Sequence, residues 1–256
     1  MSEYDFILDN MRYSYSSVNS FLTCPFCFRL TYIDHEERTG NSFSDFGNLI
    51  HKIMEEFFKG TIEKDQMLSY YIAHWNEYVV NEFPQSPPGM KQNYYNAGIE
   101  FFKKFKFDKE AYDILFIEGE VRSVYHDIQL VVKPDLILRE KSTGKCILVD
   151  YKTARMKSTK KDKEKQLEEY MRQMELYVYW LWSEKDVEVK EIQIWFIRDA
   201  IRKIINVDPL HVADTVFWFE DTVSKIKQEV DWNPKEKRDY FCDQICSVRS
   251  LGRCGM

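Results

Sequence analysis

The chain has 256 residues, 44% of them hydrophobic, which is enough to build the core of one large domain or two small ones. Its 18 Phe, 16 Tyr and 6 Trp, against only 9 Gly and 7 Pro, exclude a disordered chain. The net charge of −6 disfavours a protein that coats polyanions, but permits an enzyme with one basic channel. No apolar run is long enough to cross a membrane, and residues 1–10 do not resemble a secretory signal. We therefore expect a cytoplasmic protein without membrane contact.

Helical periodicity dominates residues 1–110, which we predict to form an N-terminal helical lobe within the same domain as the sheet that follows. Helices are predicted at 14–33, opening at Ser16-Ser17, from a capping Asp45 to Gly60, at 63–82 and at 91–107. The proline-rich residues 83–89 are interpreted as a loop rather than a domain linker, because helical periodicity continues on both sides.

After residue 110 the sequence pattern changes from helical periodicity to strand-like runs alternating with helices. Residues 111–230 are predicted to form the α/β core, a mixed sheet flanked by helices. Strands are predicted at 114–125, 128–138, 146–153, 191–198 and 203–207, and helices at 163–182 and 210–230. A turn is expected at Ser142-Thr143-Gly144. Residues 231–256 are predicted to be an irregular tail rich in cysteine.

Two carboxylates, Asp135 and Asp150, lie in apolar, strand-like runs, and Lys152 follows the second by two positions. Burying a carboxylate is costly unless it is paired or bound to a metal. Pro134 has no amide hydrogen and marks a bulge or strand edge beside Asp135. Paired acids suit a hard divalent cation, and a neighbouring lysine can orient a water, which favours phosphodiester hydrolysis. The alternative is a pair of ordinary acids at strand ends.

Pro134-Asp135 and Asp150-Tyr151-Lys152 together resemble the PD-(D/E)xK nuclease motif. Three further segments resemble the RecB-like branch of those nucleases. They are Gln173 with Tyr177 as its Q-x-x-x-Y element, Gly47 to His51 as its G-x-x-x-H element, and Ser16 to Pro25 as its S-x-x-x-x-F-x-x-C-P opening. The resemblance extends from about residue 14 to the C-terminus and implies a restriction-endonuclease-like fold.

The resemblance implies a role for each of these residues. Mg²⁺ or Mn²⁺ would be held by His51, Asp135, Asp150 and the carbonyl of Tyr151, and would polarise the scissile phosphate. Lys152 would position the attacking water and offset charge on the phosphate oxygens. Gln173 and Tyr177, four residues apart, would share one helix face and contact the site or the nucleic-acid backbone.

Two weaker expectations concern neighbours of this site. Glu120 is interpreted as an additional acid beside the metal ligands, with Glu118 as the competing choice. The segment 155–165 is strongly basic, and Arg155, Lys157, Lys160 and Lys161 are candidates for contacts to phosphates. The alternative for this segment is an ordinary solvated loop.

Five of the 6 Cys lie near the chain ends, whereas Cys146 stands alone in a strand and suits a core position. RecB-like nucleases with an iron–sulfur clamp, including CRISPR-associated exonucleases and the AddB type, use one N-terminal and three C-terminal cysteines. By resemblance, the ligands of a [4Fe–4S] cluster would be Cys24, Cys242, Cys246 and Cys254. The C-terminal spacing departs from the usual pattern, so Cys27 is an alternative ligand and Zn²⁺ an alternative metal.

These features predict a metal-dependent DNA exonuclease that acts on single strands or DNA ends. Alternatives are a structure-specific or restriction-like endonuclease, and a catalytically quiet DNA-end-binding subunit of a recombination or CRISPR-adaptation complex. No G-x-x-x-x-G-K-[ST] motif is present, so a helicase would have to be a separate partner.

Overall fold

The computed structural model describes residues 4–185 and 187–254. Its α-helices are α1 (Asp5–Asn10), α2 (Tyr15–Thr23), α3 (Pro25–Phe28), α4 (Ser42–Lys59), α5 (Met67–Tyr78), α6 (Met90–Lys104), α7 (Lys160–Lys185) and α8 (Pro209–Gln228). Short 3₁₀ or π turns lie at Arg29–Ile33, Lys64–Gln66, Lys109–Ala111, Ile197–Asp199, Phe241–Ile245 and Arg249–Leu251. No helix among these described residues is both long enough and apolar enough to span a membrane.

The strands form one mixed sheet and one separate hairpin. They are β1 (Tyr112–Ile117), β2 (Val121–Tyr125), β3 (Ile128–Val132), β4 (Leu136–Glu140), β5 (Cys146–Lys152), β6 (Val189–Phe196) and β7 (Ile201–Asn206). The sheet has the order β1-β4-β5-β6-β7, and only the β5–β6 pair within it is parallel. The antiparallel β2–β3 hairpin stands apart from it.

Helices cover both faces of the sheet. On one face α7 and α8 pack against residues such as Leu148 and Ile194. On the other face α4, α5 and α6 pack against residues such as Val149 and Trp195. The central strand β5 is therefore buried on both faces, which explains its nearly continuous apolar sequence. This architecture confirms the predicted α/β class with a mixed sheet flanked by helices.

Two predicted strands are each divided in the structure. The run 114–125 breaks at Glu118 and Gly119, whose φ angles of 37° and 156° cannot continue a strand. The run 128–138 breaks at residues 133–135, where Pro134 cannot donate to a strand ladder. The amide of Glu118 donates to the carbonyl of Asp135 at 2.7 Å, so the two breaks face each other. The predicted turn at Ser142-Thr143-Gly144 is present, with Gly144 at a φ of 71°.

Two helix predictions differ from the structure. The predicted helix 14–33 is interrupted because Cys24 is extended and Pro25 restarts the chain as α3. The predicted cap Asp45 lies inside α4, and the side chain of Asn41 caps that helix instead. Asp45 accepts hydrogen bonds from the backbone amides of residues 80 and 81 and so ties α4 to the end of α5. Gly60 ends α4 in the left-handed conformation, as predicted.

The tail after α8 folds back onto the N-terminal helices. The indole of Trp232 stacks on Phe28 with ring centroids 5.8 Å apart, and it is almost fully buried. The amide of Thr39 donates to the carbonyl of Ser247 at 2.6 Å. Cys24, Cys27 and Cys246 are buried in the small core that this docking creates.

Candidate active site

Three metal-ligating side chains converge at one end of the sheet. His51 comes from α4, Glu118 from the break between β1 and β2, and Asp135 from the residue preceding β4. Nδ1 of His51 lies 2.8 Å from a carboxylate oxygen of Glu118 and 3.5 Å from one of Asp135. One ligand atom of each residue lies within 4.8 Å of the other two. The group offers one imidazole nitrogen and two carboxylates to a cation.

The supporting acid at this site is Glu118 rather than Glu120, which the sequence placed first. The positive φ of Glu118 turns its carboxylate toward His51. Glu120 is exposed and pairs instead with Arg122 at 3.1 Å and Lys133 at 3.2 Å. The two acids are separated by one residue, but the backbone reversal at that point sends only the first into the site.

Asp150 and Tyr151 are buried beside this group, and Lys152 is partly buried. The amide of Tyr151 donates to Oδ2 of Asp135 at 2.7 Å, which links β5 to the start of β4. Nζ of Lys152 lies 2.8 Å from Oδ2 of Asp150. That contact lacks hydrogen-bond geometry, so this buried oxygen has no hydrogen-bond partner among the residues that the structure describes. At this oxygen, within the described part of the chain, Asp150 is therefore held by the ion pair with Lys152 alone.

The site brings the carboxylates of Glu118, Asp135 and Asp150 close to the imidazole of His51 and the ammonium group of Lys152. Burial, together with the neighbouring carboxylate of Asp150, raises the pKa of Asp135 to about 7. Burial by itself would lower the pKa of His51, but the carboxylates of Asp135 and Glu118 outweigh it and raise that pKa to about 9. Burial would likewise lower the pKa of Lys152, but Asp150 holds it above its ordinary value. A divalent cation would relieve the repulsion among these carboxylates.

Helix α7 holds the lysine in place. Nζ of Lys152 donates to Oε1 of Gln173 at 2.7 Å, and Nε2 of Gln173 donates to the hydroxyl of Tyr177 at 2.9 Å. The same Nζ lies 4.7 Å from the ring centre of Tyr170. Tyr170 was not anticipated, although it precedes Gln173 by three residues and so shares its helix face.

The basic segment after β5 is anchored near the lysine. The side chain of Gln166 donates to the carbonyl of Arg155 at 2.9 Å and accepts the amide of Lys157 at 2.9 Å. Lys160 and Lys161, in the first turn of α7, are exposed. The backbone of Arg155 and Lys157 is thus fixed by Gln166. Contacts of all four basic residues with phosphates remain a prediction.

The family of the chain follows from a comparison of the whole sequence. Residues 12–253 match the sequence profile of the PD-(D/E)XK nuclease superfamily. The chain belongs to this superfamily. A solved structure titled "Crystal structure of SSO0001" has 17% identity and a TM-score of 0.38 over 93% of this chain and 85% of that one. Similarity of this extent carries no inference about function, and no curated protein matches the chain.

Membership in the PD-(D/E)XK superfamily implies a divalent metal, and the residues present fit one. The fit lies in the imidazole of His51 and the carboxylates of Glu118 and Asp135, which offer ligand atoms within 4.8 Å of one another. Such a set suits Mg²⁺ or Mn²⁺. Asp150, predicted as a further ligand, lies outside this group. The five-stranded mixed sheet with helices on both faces agrees with the restriction-endonuclease-like fold of the superfamily.

A second candidate metal site lies between the two ends of the chain. Its cavity is lined by all five terminal cysteines, which are Cys24, Cys27, Cys242, Cys246 and Cys254. The sulfur of Cys27 lies 3.3 Å from that of Cys246. Contact with Cys27 lowers the pKa of Cys24 to about 5 and that of Cys246 to about 6. Thiolates of this kind are ligands for soft metals. Cys146 is buried in β5, as predicted for a core residue.

Proposed function

We propose that this PD-(D/E)XK nuclease is a metal-dependent DNA exonuclease that hydrolyses phosphodiester bonds of single-stranded DNA or DNA ends. The observation that supports the reaction is the buried pairing of Asp150 with Lys152 beside the group of His51, Glu118 and Asp135. Scaffolding alone does not require two buried carboxylates, Asp135 and Asp150, beside a lysine and a histidine. This favours an active enzyme over a catalytically quiet end-binding subunit.

The chain's own residues then have distinct tasks. His51, Glu118 and Asp135 would hold Mg²⁺ or Mn²⁺, with Asp150 and the carbonyl of Tyr151 as further candidate ligands. A bound divalent cation supplies positive charge to the phosphate and lowers the pKa of water. Lys152, held by Gln173 and by the ring of Tyr170, orients the attacking water and balances charge on the phosphate oxygens.

The polarity and the exonuclease activity are tested together on single-stranded DNA labelled separately at each end, with circular DNA alongside, in Mn²⁺ or Mg²⁺. We expect cleavage of linear DNA in an order set by one end, no cleavage of circles, and no cleavage by a Lys152→Ala protein. Cleavage of circles would identify the endonuclease alternative. Binding of DNA ends without turnover by the wild type would favour the end-binding subunit. Such a subunit would act with partners such as a helicase or a CRISPR-adaptation complex.

We further propose that the cysteine cavity holds a [4Fe–4S] cluster through Cys24, Cys242, Cys246 and Cys254. Thiolate ligation without nitrogen or oxygen donors supports this choice, with Zn²⁺ as the alternative. Cys27 lines the same cavity and competes for one ligand position. Iron, sulfide and zinc assays on anaerobically purified protein separate the two metals. Single Ser variants of Cys27 and Cys254 then show which thiol the metal needs.

A further inference from the structure

Two arginines lie at the carboxyl end of the only parallel strand pair among the described residues. In the β5–β6 register Lys152 is opposite Phe196. Arg155 therefore follows β5 by three residues, and Arg198 follows β6 by two. The carboxyl ends of parallel strands are where α/β proteins bind ligands, and here that end also carries the catalytic lysine.

The charges of this pair are not balanced. Asp199 lies 3.7 Å from Nε of Arg155, and it also accepts the amide of Met156 at 2.8 Å. Among the residues that the structure describes, no carboxylate lies within ion-pair distance of Arg198, and its buried Nε has no hydrogen-bond partner. Burial lowers the pKa of Arg198, and the charge of Arg155 lowers it further. Within the described residues, Arg155 thus has one carboxylate at 3.7 Å, and Arg198 has none within ion-pair distance.

The guanidinium group of Arg198 and the backbone of Arg155 are held before any ligand arrives. The guanidinium group of Arg198 lies over the ring of Tyr94, with its central carbon 3.6 Å from the ring centre. The backbone at Arg155 is fixed by the side chain of Gln166, and the next amide is fixed by Asp199. An anion bound here would find one guanidinium group already packed in place and the other attached to a fixed backbone, which lowers the entropic cost of binding.

We propose that Arg155 and Arg198 bind one backbone phosphate of the DNA strand, adjacent to the phosphate that is cleaved. This rests on the proposed function. Three residues span at most about 11 Å, so Arg155 lies within one or two nucleotides of Lys152 along a strand. Paired guanidinium groups match the oxygens of a phosphate, and the bound anion supplies the charge that Asp199 alone does not.

The test measures binding of a labelled oligothymidylate in Ca²⁺, which limits hydrolysis. We expect Arg155→Ala and Arg198→Ala each to weaken binding by about tenfold. The slope of log affinity against log salt should fall by about 0.7, the value for one phosphate of a single strand. Arg139→Ala is the matched control, because this exposed arginine lies opposite Cys146 at the other end of β5. It should leave affinity unchanged.

A scan with single methylphosphonate linkages identifies the phosphate. At one linkage position the neutral group should weaken wild-type binding and have a clearly smaller effect on Arg155→Ala and on Arg198→Ala protein, because each variant has already lost one of the two contacts to that phosphate. Absence of such a position, or wild-type affinity in both variants, would overturn the proposal. If Arg198→Ala protein does not fold, the same binding assay is run on the surface variant Arg155→Ala and on Arg198→Lys, which keeps the charge.

The nuclease proposal and the phosphate-site proposal can each be rejected independently of the other. Arginine-dependent binding by a wild-type protein that never cleaves in Mn²⁺ would support the phosphate site and reject the nuclease. Cleavage by the wild type together with binding that ignores both arginines would do the reverse. A wild-type protein that neither binds nor cleaves DNA would reject both.

Discussion

At the scale of residues, the site depends on which of two nearby acids faces His51. Glu118 does so at 2.8 Å, whereas Glu120 forms ion pairs on the surface. The distinction is a consequence of backbone dihedral angles, because residues with positive φ at 118 and 119 reverse the direction of the chain. It provides a matched pair of substitutions.

Glu118→Gln should weaken Mn²⁺ binding and reduce cleavage by about a hundredfold, because it removes a charged ligand while keeping the shape of the side chain. Glu120→Gln should change neither quantity by more than about twofold, because exposed ion pairs contribute little. Calorimetric titration of Mn²⁺ and single-turnover cleavage check both. Equal losses in the two variants would contradict the assignment.

The pKa shifts predict how the metal-free protein responds to pH. The pKa of Asp135 rises from 3.8 to about 7, and that of His51 from 6.5 to about 9. Both groups bind protons more tightly in the folded state, so their contribution to stability is present at low pH and is lost as pH rises through these values. We expect the Tm in EDTA to fall between about pH 5 and about pH 9.

Mn²⁺ should reverse this trend, because its ligands must be deprotonated and its stabilising effect therefore grows with pH. Thermal scans across the same pH range, with and without Mn²⁺, measure both effects. Asp135→Asn serves as the control, since it should flatten the metal-free curve and remove most of the gain from Mn²⁺. A metal-free Tm that rises over this range would contradict the assigned shifts.

At the scale of elements, the breaks in the strands position the acids. Gly119 has a φ of 156°, and a Cβ added there would lie 3.0 Å from the ring of Phe116. Gly144, in the turn between β4 and β5, also has a positive φ of 71°, but a Cβ there would meet no neighbouring atom. The first glycine is next to the site and the second lies beyond the far end of β5.

Gly119→Ala should therefore lower stability by about 1–3 kcal/mol and also lower the cleavage rate, because relief of the strain displaces Glu118. Gly144→Ala should lower stability by about 1 kcal/mol through its dihedral alone and leave cleavage unchanged. Denaturant unfolding and cleavage rates measure the two effects. Unchanged cleavage by stable Gly119→Ala protein would show that the break does not position the acid.

At the scale of the whole molecule, the cysteine cavity joins the two ends of the chain across more than two hundred residues. The tail docks there through Trp232 and through the backbone contact between Thr39 and Ser247. A metal held by thiolates from both ends would close a long loop, which is costly to form in the unfolded chain. Metal binding should therefore stabilise the docked tail.

Cys24→Ser protein should lose its metal, melt at a lower temperature and become sensitive to protease beyond residue 231, because the tail loses its attachment. Cys146→Ser serves as the control: this residue is buried in β5 and should lower stability without loss of metal. Metal analysis, thermal scans and limited proteolysis check the pair. Full metal content in Cys24→Ser protein would exclude that residue as a ligand.

Much of this protein is determined by local sequence. The apolar run of β5, the acid and lysine at its end, and the spacing of Gln173 and Tyr177 are short-range patterns that depend on strand and helix periods. They predict the α/β class and the buried motif. Gly60 and the turn at Gly144 are equally local, because glycine is favoured wherever φ is positive.

Tertiary structure decided the remaining features. The selection of Glu118 over Glu120, the entry of Cys27 into the cysteine cavity and the contact of Arg155 with Asp199 each join residues distant in sequence. They depend on the angle at which the chain reverses and on which strands become neighbours. The physical reason is that a side chain's direction follows from its backbone dihedral angles, while its neighbours follow from packing across the whole fold.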